Sequence, residues 1–337
     1  MADVGRLAGV SHQTVSRVIN GSRHVRPTTR MRVLEAMSEL GYRPNSIARA
    51  LVTGRSRTLG VVSFDTTLYG PASTLFGIER AAHEAGYFIV IASLQALDPV
   101  SVSEAIERLR LQAVEGILVI VPDTEASKAL VAVRPDLPVV AVEGGPVAGI
   151  PAVTVDQRAG ATAATRHLLE LGHRTVWHVT GPTGSLEAQQ RERAWRETLV
   201  GAGVPPPDTL TGDWSAQSGY ELGQLLAGEP DATAVFVGND QMALGLLRAL
   251  HEAGVKIPQD VSVVGFDDIP EAAYFLPPLT TVRQDFGALG SQSLRVLVGL
   301  LETSGADALE PPGSMIEPEL VVRGSTGPAS TRRHRKR

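Results

Sequence analysis

A short polar segment near the start of the chain, VSHQTVSRVING (10–21), carries side chains that can form hydrogen bonds with nucleic-acid bases. Its apolar residues Val15, Val18 and Ile19 recur every three or four positions, which predicts an amphipathic helix, and Ser11 is a good N-cap residue for it. Glutamine can pair bidentately with adenine, and arginine with guanine. A polar helix face can also simply meet water. From the residues alone, both interpretations remain open.

A second group of polar side chains stands where apolar runs end. Glu143 ends the run PVVAVE, Asn239 and Asp240 end AVFVGND, and Asp267 follows VSVVGF. In open parallel sheets, ligands bind beyond the carboxyl ends of the strands. Carboxylates and amides at such a place are suitable partners for the hydroxyl groups of a sugar. Asp240 is instead expected to cap a helix that begins at Gln241.

The elements that must position these two groups divide the chain into two parts. From Leu7 to Tyr42, the apolar spacing predicts a compact helical unit. Beyond Thr58, near-continuous Val/Ile runs alternate with amphipathic stretches, which indicates parallel strands buried on both faces and separated by helices. The predicted strands cover 58–64, 87–93, 116–121, 138–143, 151–156, 175–181, 234–240 and 261–268, and the predicted helices cover 73–86, 100–112, 158–171, 186–202 and 241–253. Two such α/β halves in series predict two lobes with a cleft between them.

Charge separates the same two parts of the chain. Residues 1–57 contain ten arginines and only three acidic residues, a net charge of +7, whereas the whole chain carries −5. A small basic module on an acidic body indicates that one end alone meets a polyanion. Gly5 lies inside the first predicted helix, where glycine is unfavourable by about 1 kcal/mol relative to alanine.

Composition excludes several classes of protein. The 337 residues, 43% hydrophobic and 20% charged, are typical of a soluble globular protein with two or three domains. Without cysteine, the chain cannot form disulfides or use thiols as nucleophiles or metal ligands. No apolar run approaches the roughly 18 residues that span a bilayer. Because the N-terminus also lacks a signal-peptide pattern, we expect a cytoplasmic protein with no membrane association.

Six segments together resemble the LacI family of bacterial repressors: AGVSHQTVSRVING, GYRPNSIARAL, GDWSAQSGY, GNDQMALGLLRAL, SVVGFDD and LPPLTTVRQDF. The resemblance covers essentially the whole chain in one register. It implies an α helix-turn-helix DNA-binding head and an α/β two-lobed core similar to a periplasmic binding protein. The expected divisions are the head at 1–44, a hinge helix and linker at 45–57, the effector-binding and dimerisation core at 58–324, and a disordered basic tail at 325–337. Within the core, the N-terminal lobe is expected at about 58–156 and 286–314, and the C-terminal lobe at about 157–285 and 315–324.

The resemblance also implies which side chains contact DNA. The expected contacts are His12, Gln13, Ser16, Arg17, Asn20, His24, Ala48 and Leu51. Of these, His12, Gln13 and Arg17 would read bases from the major groove. Asn20 and His24 would contact phosphate or cap the turn. Ala48 and Leu51 would wedge into the minor groove, although Leu51 could instead pack on the core.

The effector site implied by the resemblance lies at the predicted strand ends. Its expected residues are Tyr69, Glu143, Arg191, Trp214, Asn239, Asp267, Gln284 and Phe286. The polar members would bind hydroxyl groups, and Trp214 and Phe286 would face the apolar side of a sugar ring. This pattern of a few converging polar groups in an apolar pocket is usual for a small-molecule site.

The resemblance implies a transcriptional repressor of sugar-utilisation genes. A small sugar, a galactoside or another β-glycoside, would release it from an inverted-repeat operator. Because two half-sites need two heads and no leucine heptads follow the core, we expect a homodimer. A regulator that needs a non-sugar corepressor is the alternative within the family. A glycosidase using Glu143 and Asp267, or a transport protein, would have no use for the basic head. We expect no catalytic residues, no metal and no cofactor.

Overall fold

The structure, a computed structural model, has two units. It describes residues 1–19, 22, 24–42, 55–64, 67–94, 98–121, 123–133, 137–143, 149–302 and 314–329. The units are Met1–Arg57 and Thr58–Arg337, so the division falls where the alternating strand pattern begins. The hinge residues Ala48 and Leu51, and Asn20 in the head, lie outside the described residues.

The first unit contains three helices, α1 (Ala2–Ala8), α2 (His12–Ile19) and α3 (Pro27–Glu39). Their buried apolar side chains form one small core, composed of Val4, Ala8, Val15, Val18, Val33 and Ala36. Ser11 caps α2 as predicted, because its hydroxyl accepts a hydrogen bond from the backbone N–H of Thr14 at 3.2 Å. Gly5 is buried in α1, and a Cβ there would lie 2.9 Å from the carbonyl oxygen of Val10. The close approach of the α1–α2 turn therefore accounts for the glycine.

The second unit has the alternating order that the sequence predicts. Its elements are β1 (Thr58–Phe64), α4 (Tyr69–Glu84), β2 (Phe88–Leu94), α5 (Pro99–Leu111), β3 (Ile117–Ile120), α6 (Thr124–Val133), β4 (Val139–Val142), β5 (Ala152–Val155), α7 (Gln157–Glu170), β6 (Trp177–Thr180), α8 (Leu186–Gly201), β7 (Leu210–Thr211), α9 (Ala216–Ala227), β8 (Ala234–Val237), α10 (Asp240–Glu252), β9 (Ser262–Val264), a 3-10 helix (Pro270–Tyr274), β10 (Thr281–Arg283), α11 (Phe286–Glu302), β11 (Ser314–Ile316) and β12 (Glu319–Val321).

These elements form two lobes, each built on a parallel sheet. The N-terminal lobe has six strands in the order β11-β5-β4-β3-β1-β2, and the C-terminal lobe has four in the order β7-β6-β8-β9. A short antiparallel pair, β10-β12, belongs to the C-terminal lobe, where it packs against α7. Every residue of β3, β4 and β8 is buried, which agrees with the prediction of strands covered on both faces. The expected helix-turn-helix and two-lobed α/β classes are thus confirmed.

Two expected boundaries need correction. Strand β11 pairs with β5, so residues 315–316 belong to the N-terminal lobe and not to the C-terminal one. Residues 325–329, expected to begin a disordered tail, pack on the C-terminal lobe. There the Ser325 hydroxyl donates to the carbonyl of Val263 at 2.6 Å, and the N–H of Ala329 donates to that of Leu171 at 2.9 Å. The basic residues of 330–337 lie outside the described part of the chain. Within the described ranges, no helix is long and apolar enough to cross a membrane.

Candidate functional site

A cavity of about 300 Å³ lies in the cleft between the two lobes, where the strands of both sheets end. Residues from the N-terminal lobe, the C-terminal lobe and the crossover between them line it: Phe64, Leu68, Tyr69, Gly70, Pro71, Asp123, Glu143, Pro182, Gly184, Ser185, Glu187, Arg191, Asp213, Trp214, Asn239, Asp267 and Gln284. Seven of the eight residues expected in the effector site are therefore brought together. The position agrees with the rule that ligands bind beyond the carboxyl ends of parallel strands.

Arg191 organises the floor of this cavity. It projects from α8, and its side chain is only 2% exposed. Its Nε donates to the Gln157 side-chain oxygen at 2.8 Å, and its Nη1 donates to the carbonyl of Gly238. Its guanidinium carbon lies 3.8 Å from the centre of the Phe266 ring. These contacts hold the planar guanidinium in one orientation, with Nη2 turned towards the acidic side chains.

Two buried carboxylates lie near this arginine. Glu143 accepts a short hydrogen bond from the hydroxyl of Thr74, and Asp267 accepts one from the Gln284 amide at 2.7 Å. Burial is the largest cause that raises the pKa of Glu143 to about 8, and the negative charge of Glu187 contributes to the same shift. Burial also raises the pKa of Asp267 to about 7, although the positive charge of Arg191 opposes this shift. Both carboxyls can therefore gain or lose a proton near neutral pH.

Three lining residues adopt backbone conformations that side chains normally avoid. Glu143 has φ 66°, Trp214 has φ 74° and Asp267 has φ 107°. Such conformations cost on the order of 1–3 kcal/mol each and tend to cluster at functional sites. The Trp214 ring lies against Gly181, where a Cβ would approach within 2.2 Å of the ring atoms. The glycine at the end of β6 therefore makes room for the indole, which faces the cavity.

Asn239 has a structural task besides its place in the cavity. Its side-chain oxygen accepts from the N–H of Met242 at 2.9 Å, so Asn239 is the N-cap of α10, and its Nδ2 donates to the carbonyl of Trp214 at 3.1 Å. The prediction that Asp240 caps this helix is wrong. Asp240 is the first helical residue, and its carboxylate accepts from the Thr281 hydroxyl at 2.6 Å and from a backbone N–H.

Phe286 does not line the cavity, so its expected contact with a sugar ring is not supported by the geometry. The residue begins α11 and is buried in the core of the N-terminal lobe. Its ring contacts the edge of Tyr69, with centroids 5.8 Å apart. Tyr69 does line the cavity, and Phe286 therefore supports it from behind.

The helix α2 presents the polar face that the sequence predicts. His12, Gln13 and Arg17 are exposed on it, Ser16 is half-buried, and Val15 and Val18 on the other side are buried in the head core. His24, in the turn before α3, is also exposed. The arrangement leaves the first turns of α2 accessible, as a recognition helix requires.

Sequence reasoning missed Glu187, which lines the cavity, and Gln157, which forms hydrogen bonds with two of the lining residues. Glu187 lies four positions before Arg191, with its carboxylate 3.6 Å from Nη2, and this i,i+4 spacing on one helix could have revealed it. Gln157 joins two expected site residues, because it accepts from Arg191 and donates to the Gln284 side-chain oxygen at 2.8 Å. Its position as the first residue of α7, two residues after the end of β5, was the available signal. Among the described residues, no cluster of acidic or histidine side chains could hold a metal ion.

Comparisons with known proteins agree with both units. The family model "Bacterial regulatory proteins, lacI family" matches residues 1–45, and the model "Periplasmic binding protein-like domain" matches residues 165–326. The lactose operon repressor of Escherichia coli (strain K12) is 33% identical over 326 residues, which cover 96% of this chain and 89% of that protein. The ribose operon repressor of the same organism is also 33% identical, over 330 residues that cover 96% and 99%.

A solved structure gives the same result in three dimensions. The crystal structure of the lac repressor dimer bound to operator and the anti-inducer ONPF matches with a TM-score of 0.82 and 32% identity, over 96% of this chain and 98% of that one. A helix-turn-helix head followed by a two-lobed core with a ligand-sized cleft defines a class of DNA-binding transcriptional regulators. The chain belongs to the LacI family of DNA-binding transcriptional repressors. The relatives named above are repressors and not enzymes.

Proposed function

We propose that this repressor controls sugar-utilisation genes and that a small sugar releases it from its operator. The observation that carries the proposal is the cavity in the cleft, where Arg191, Asn239, Asp267 and Gln284 converge beside the Trp214 ring. Polar groups that accept and donate in fixed directions suit vicinal hydroxyls, and an aromatic ring suits the apolar face of a sugar. Similarity to a lactose operon repressor favours a galactoside or another β-glycoside.

On the DNA side, we propose that α2 enters the major groove. Gln13 and Arg17 are exposed near its start and middle, and their side chains can form bidentate pairs with adenine and guanine. His12 and Ser16 share the face, and His24 would contact phosphate. Asn20, Ala48 and Leu51 keep the roles that the family resemblance implies, in the turn and in the minor groove.

The proposed protein acts as a homodimer on an inverted repeat, in the cytoplasm where operator DNA lies. The edge strand β2 exposes Phe88 and Ile91, and the segment around the 3-10 helix exposes Tyr274 and Leu276, which is 92% exposed. Exposed apolar groups on an edge strand are unusual unless another surface covers them. The lac repressor of similar structure is a dimer bound to operator, which makes a second copy of this chain the natural occupant.

The test is an operator-binding titration with the intact protein. A high-affinity site is first selected from random duplexes, and it should contain an inverted repeat. Sugars are then added to the protein–DNA complex, and anisotropy of a labelled duplex reports release. We expect one sugar class to weaken operator binding by a coupling free energy of ~1–3 kcal/mol, and the operator to weaken sugar binding by the same factor.

The same titration separates the alternatives. Tighter operator binding in the presence of a nucleobase or another non-sugar ligand would replace the inducer mechanism by a corepressor mechanism. Operator binding that no sugar changes would contradict the proposed effector class. Selection of a duplex without any repeat would contradict the dimeric mode of DNA recognition.

A further inference from the structure

The effector cavity contains more negative charge than its basic residue can neutralise. Glu143, Glu187 and Asp267 line it together with Asp123 and Asp213. Among the described lining residues, Arg191 is the one basic side chain. Carboxylates can accept hydrogen bonds from the hydroxyls of a neutral sugar, but each one that stays ionised without a cationic partner is costly to bury.

The hydrogen bonds of Arg191 show how far its charge is already shared. Two of its nitrogens donate to Gln157 and to the carbonyl of Gly238. The third, Nη2, lies 3.6 Å from a Glu187 oxygen and 3.9 Å from an Asp267 oxygen. One guanidinium thus faces two carboxylates at distances beyond a normal hydrogen bond, and it forms no ion pair with Glu143 within the described residues.

Glu143 is the second observation that points to a ligand. Its side chain lies at the cavity, it is 4% exposed, and one of its oxygens accepts from Thr74. No described residue donates to the other oxygen. A buried carboxylate oxygen beside an empty space is a ready acceptor for a donor on a ligand.

The pKa values of this group describe the same imbalance. Burial is the largest cause that raises the pKa of all three carboxyls, and neighbouring carboxylates contribute to the values of about 8 for Glu143 and about 7 for Asp267. Without a ligand, these carboxyls are therefore partly protonated near neutral pH, and the protons neutralise charge that a cationic ligand could neutralise instead. A ligand that brings its own cation would displace those protons.

We propose that the effector is an amino sugar, or another polyhydroxylated amine, whose ammonium group binds among Glu143, Glu187 and Asp267. The proposal rests on the proposed function, because it assumes that this cavity holds the effector. Charge-assisted hydrogen bonds from the ammonium to the carboxylates supply the selectivity, while the Trp214 ring covers the apolar side of the sugar. Sugar phosphates and sugar acids are excluded by the same carboxylates.

The experiment is calorimetry on the intact protein with matched sugars. The panel contains D-galactosamine, D-galactose and N-acetyl-D-galactosamine, with the corresponding D-glucose set. We expect the amine of at least one set to bind about tenfold or more tightly than its hydroxyl and N-acetyl counterparts, since a hydrogen bond to a charged group is stronger than one between neutral groups. Repeating the titration at pH 7 in buffers of different ionisation enthalpy should show proton release for the amine alone. Raising the salt concentration should weaken binding of the amine more than binding of its neutral hydroxyl and N-acetyl counterparts.

Three variants assign the effect to the cavity. Glu187→Gln should lower the ratio of amine affinity to neutral-sugar affinity, because it removes one charge that the ammonium would contact while both sugars meet the same altered cavity. Glu143→Gln, which imitates the protonated carboxyl, should reduce both the preference and the proton release. Glu192→Gln removes the same charge from the same helix, but its carboxylate pairs with Arg196 at the surface, so it should bind like the parent. Thermal melts establish that each variant is folded.

The outcomes keep the two proposals apart. If neutral sugars bind as tightly as the amines, or more tightly, and release operator DNA, the amine inference is overturned and the sugar-responsive repressor stands. If neither kind of sugar binds or releases DNA, the proposed function fails, and the amine inference fails with it. A preference for the amine that Glu187→Gln leaves unchanged also overturns the inference, because the charge of the cavity floor would then not cause it.

Discussion

At the scale of single residues, this protein places arginines in two opposite environments. Arg191 is buried, oriented by Gln157 and Gly238, and stacked on Phe266, so its charge serves a fixed site. Arg17 is exposed on α2, where no described residue forms a hydrogen bond or an ion pair with its side chain, so it can adapt to a base edge or a phosphate. An arginine is therefore part of a preorganised pocket in the core, whereas in the head an arginine is a flexible side chain that can contact DNA.

The variant Arg17→Ala tests whether the Arg17 side chain recognises a base. If Arg17 pairs bidentately with a guanine, the variant should lose discrimination at one base pair by ~1–3 kcal/mol and should bind other operator substitutions as the parent does. Titrations against single-base variants of the selected operator measure this. Arg6→Ala is the matched control, because it removes an exposed arginine from α1. An equal loss of affinity for every sequence would make Arg17 a phosphate contact instead.

At the scale of elements, glycines let pairs of helices approach closely. In the C-terminal lobe, α9 and α10 touch through Gly219 and Gly245, and a Cβ at Gly245 would lie 1.8 Å from the carbonyl oxygen of Ala216. In the N-terminal lobe, a Cβ at Gly77 in α4 would lie 2.3 Å from the carbonyl oxygen of Phe286 in α11. Since these contacts are with backbone atoms, the neighbouring helix itself would have to move to admit a methyl group.

Gly245→Ala should therefore destabilise the protein although alanine is the better helix former. We expect the free energy of unfolding to fall by about 1–3 kcal/mol, the usual cost of overpacking. Gly299→Ala in α11 is the control, since no described residue lies within 4 Å of a Cβ there, and it should stabilise by up to about 1 kcal/mol. Urea unfolding measures both. Equal, favourable shifts for the two variants would show that α9 and α10 do not need the close contact.

At the scale of the whole molecule, the buried carboxyls link stability to pH. The native pKa of Glu143 is raised to about 8 and that of Asp267 to about 7, whereas the unfolded chain ionises both near their ordinary values. Between the unfolded and native pKa values, the native state binds more protons than the unfolded state. The free energy of unfolding therefore falls as the pH rises through this window, and the stabilising contribution is complete only below it.

Glu143→Gln should make this fall less steep. The variant keeps a neutral side chain at every pH, so we expect its thermal midpoint to exceed that of the parent by at least about 2 °C at pH 8.5, with a smaller difference at pH 6.5. His178, whose burial lowers its pKa to about 4, acts below this range and affects both proteins alike. Glu192→Gln should follow the parent curve. Parallel curves for parent and Glu143→Gln would contradict the assignment.

Much of the fold was predictable because burial leaves a local pattern. The Val/Ile runs predicted the larger strands of both lobes, and the polar residues that end those runs included Glu143, Asn239 and Asp267 of the cavity. The other four expected residues that line the cavity came from the family resemblance. The helices that the pattern missed include α9 and α11, which contain Gly219, Gly223 and Gly290. Glycine lowers helix propensity, so a local interpretation does not favour a helix there, whereas packing of the neighbouring helix requires it.

By itself, the sequence determined that a basic helical head precedes two α/β lobes, because charge and apolar spacing are properties of neighbouring residues. Only the tertiary structure decided which side chains meet. It placed Phe286 behind Tyr69 and brought Glu187 to the same cavity as Glu143 and Asp267. Those contacts join segments far apart in the chain, and spacing along one strand or helix contains no information about them.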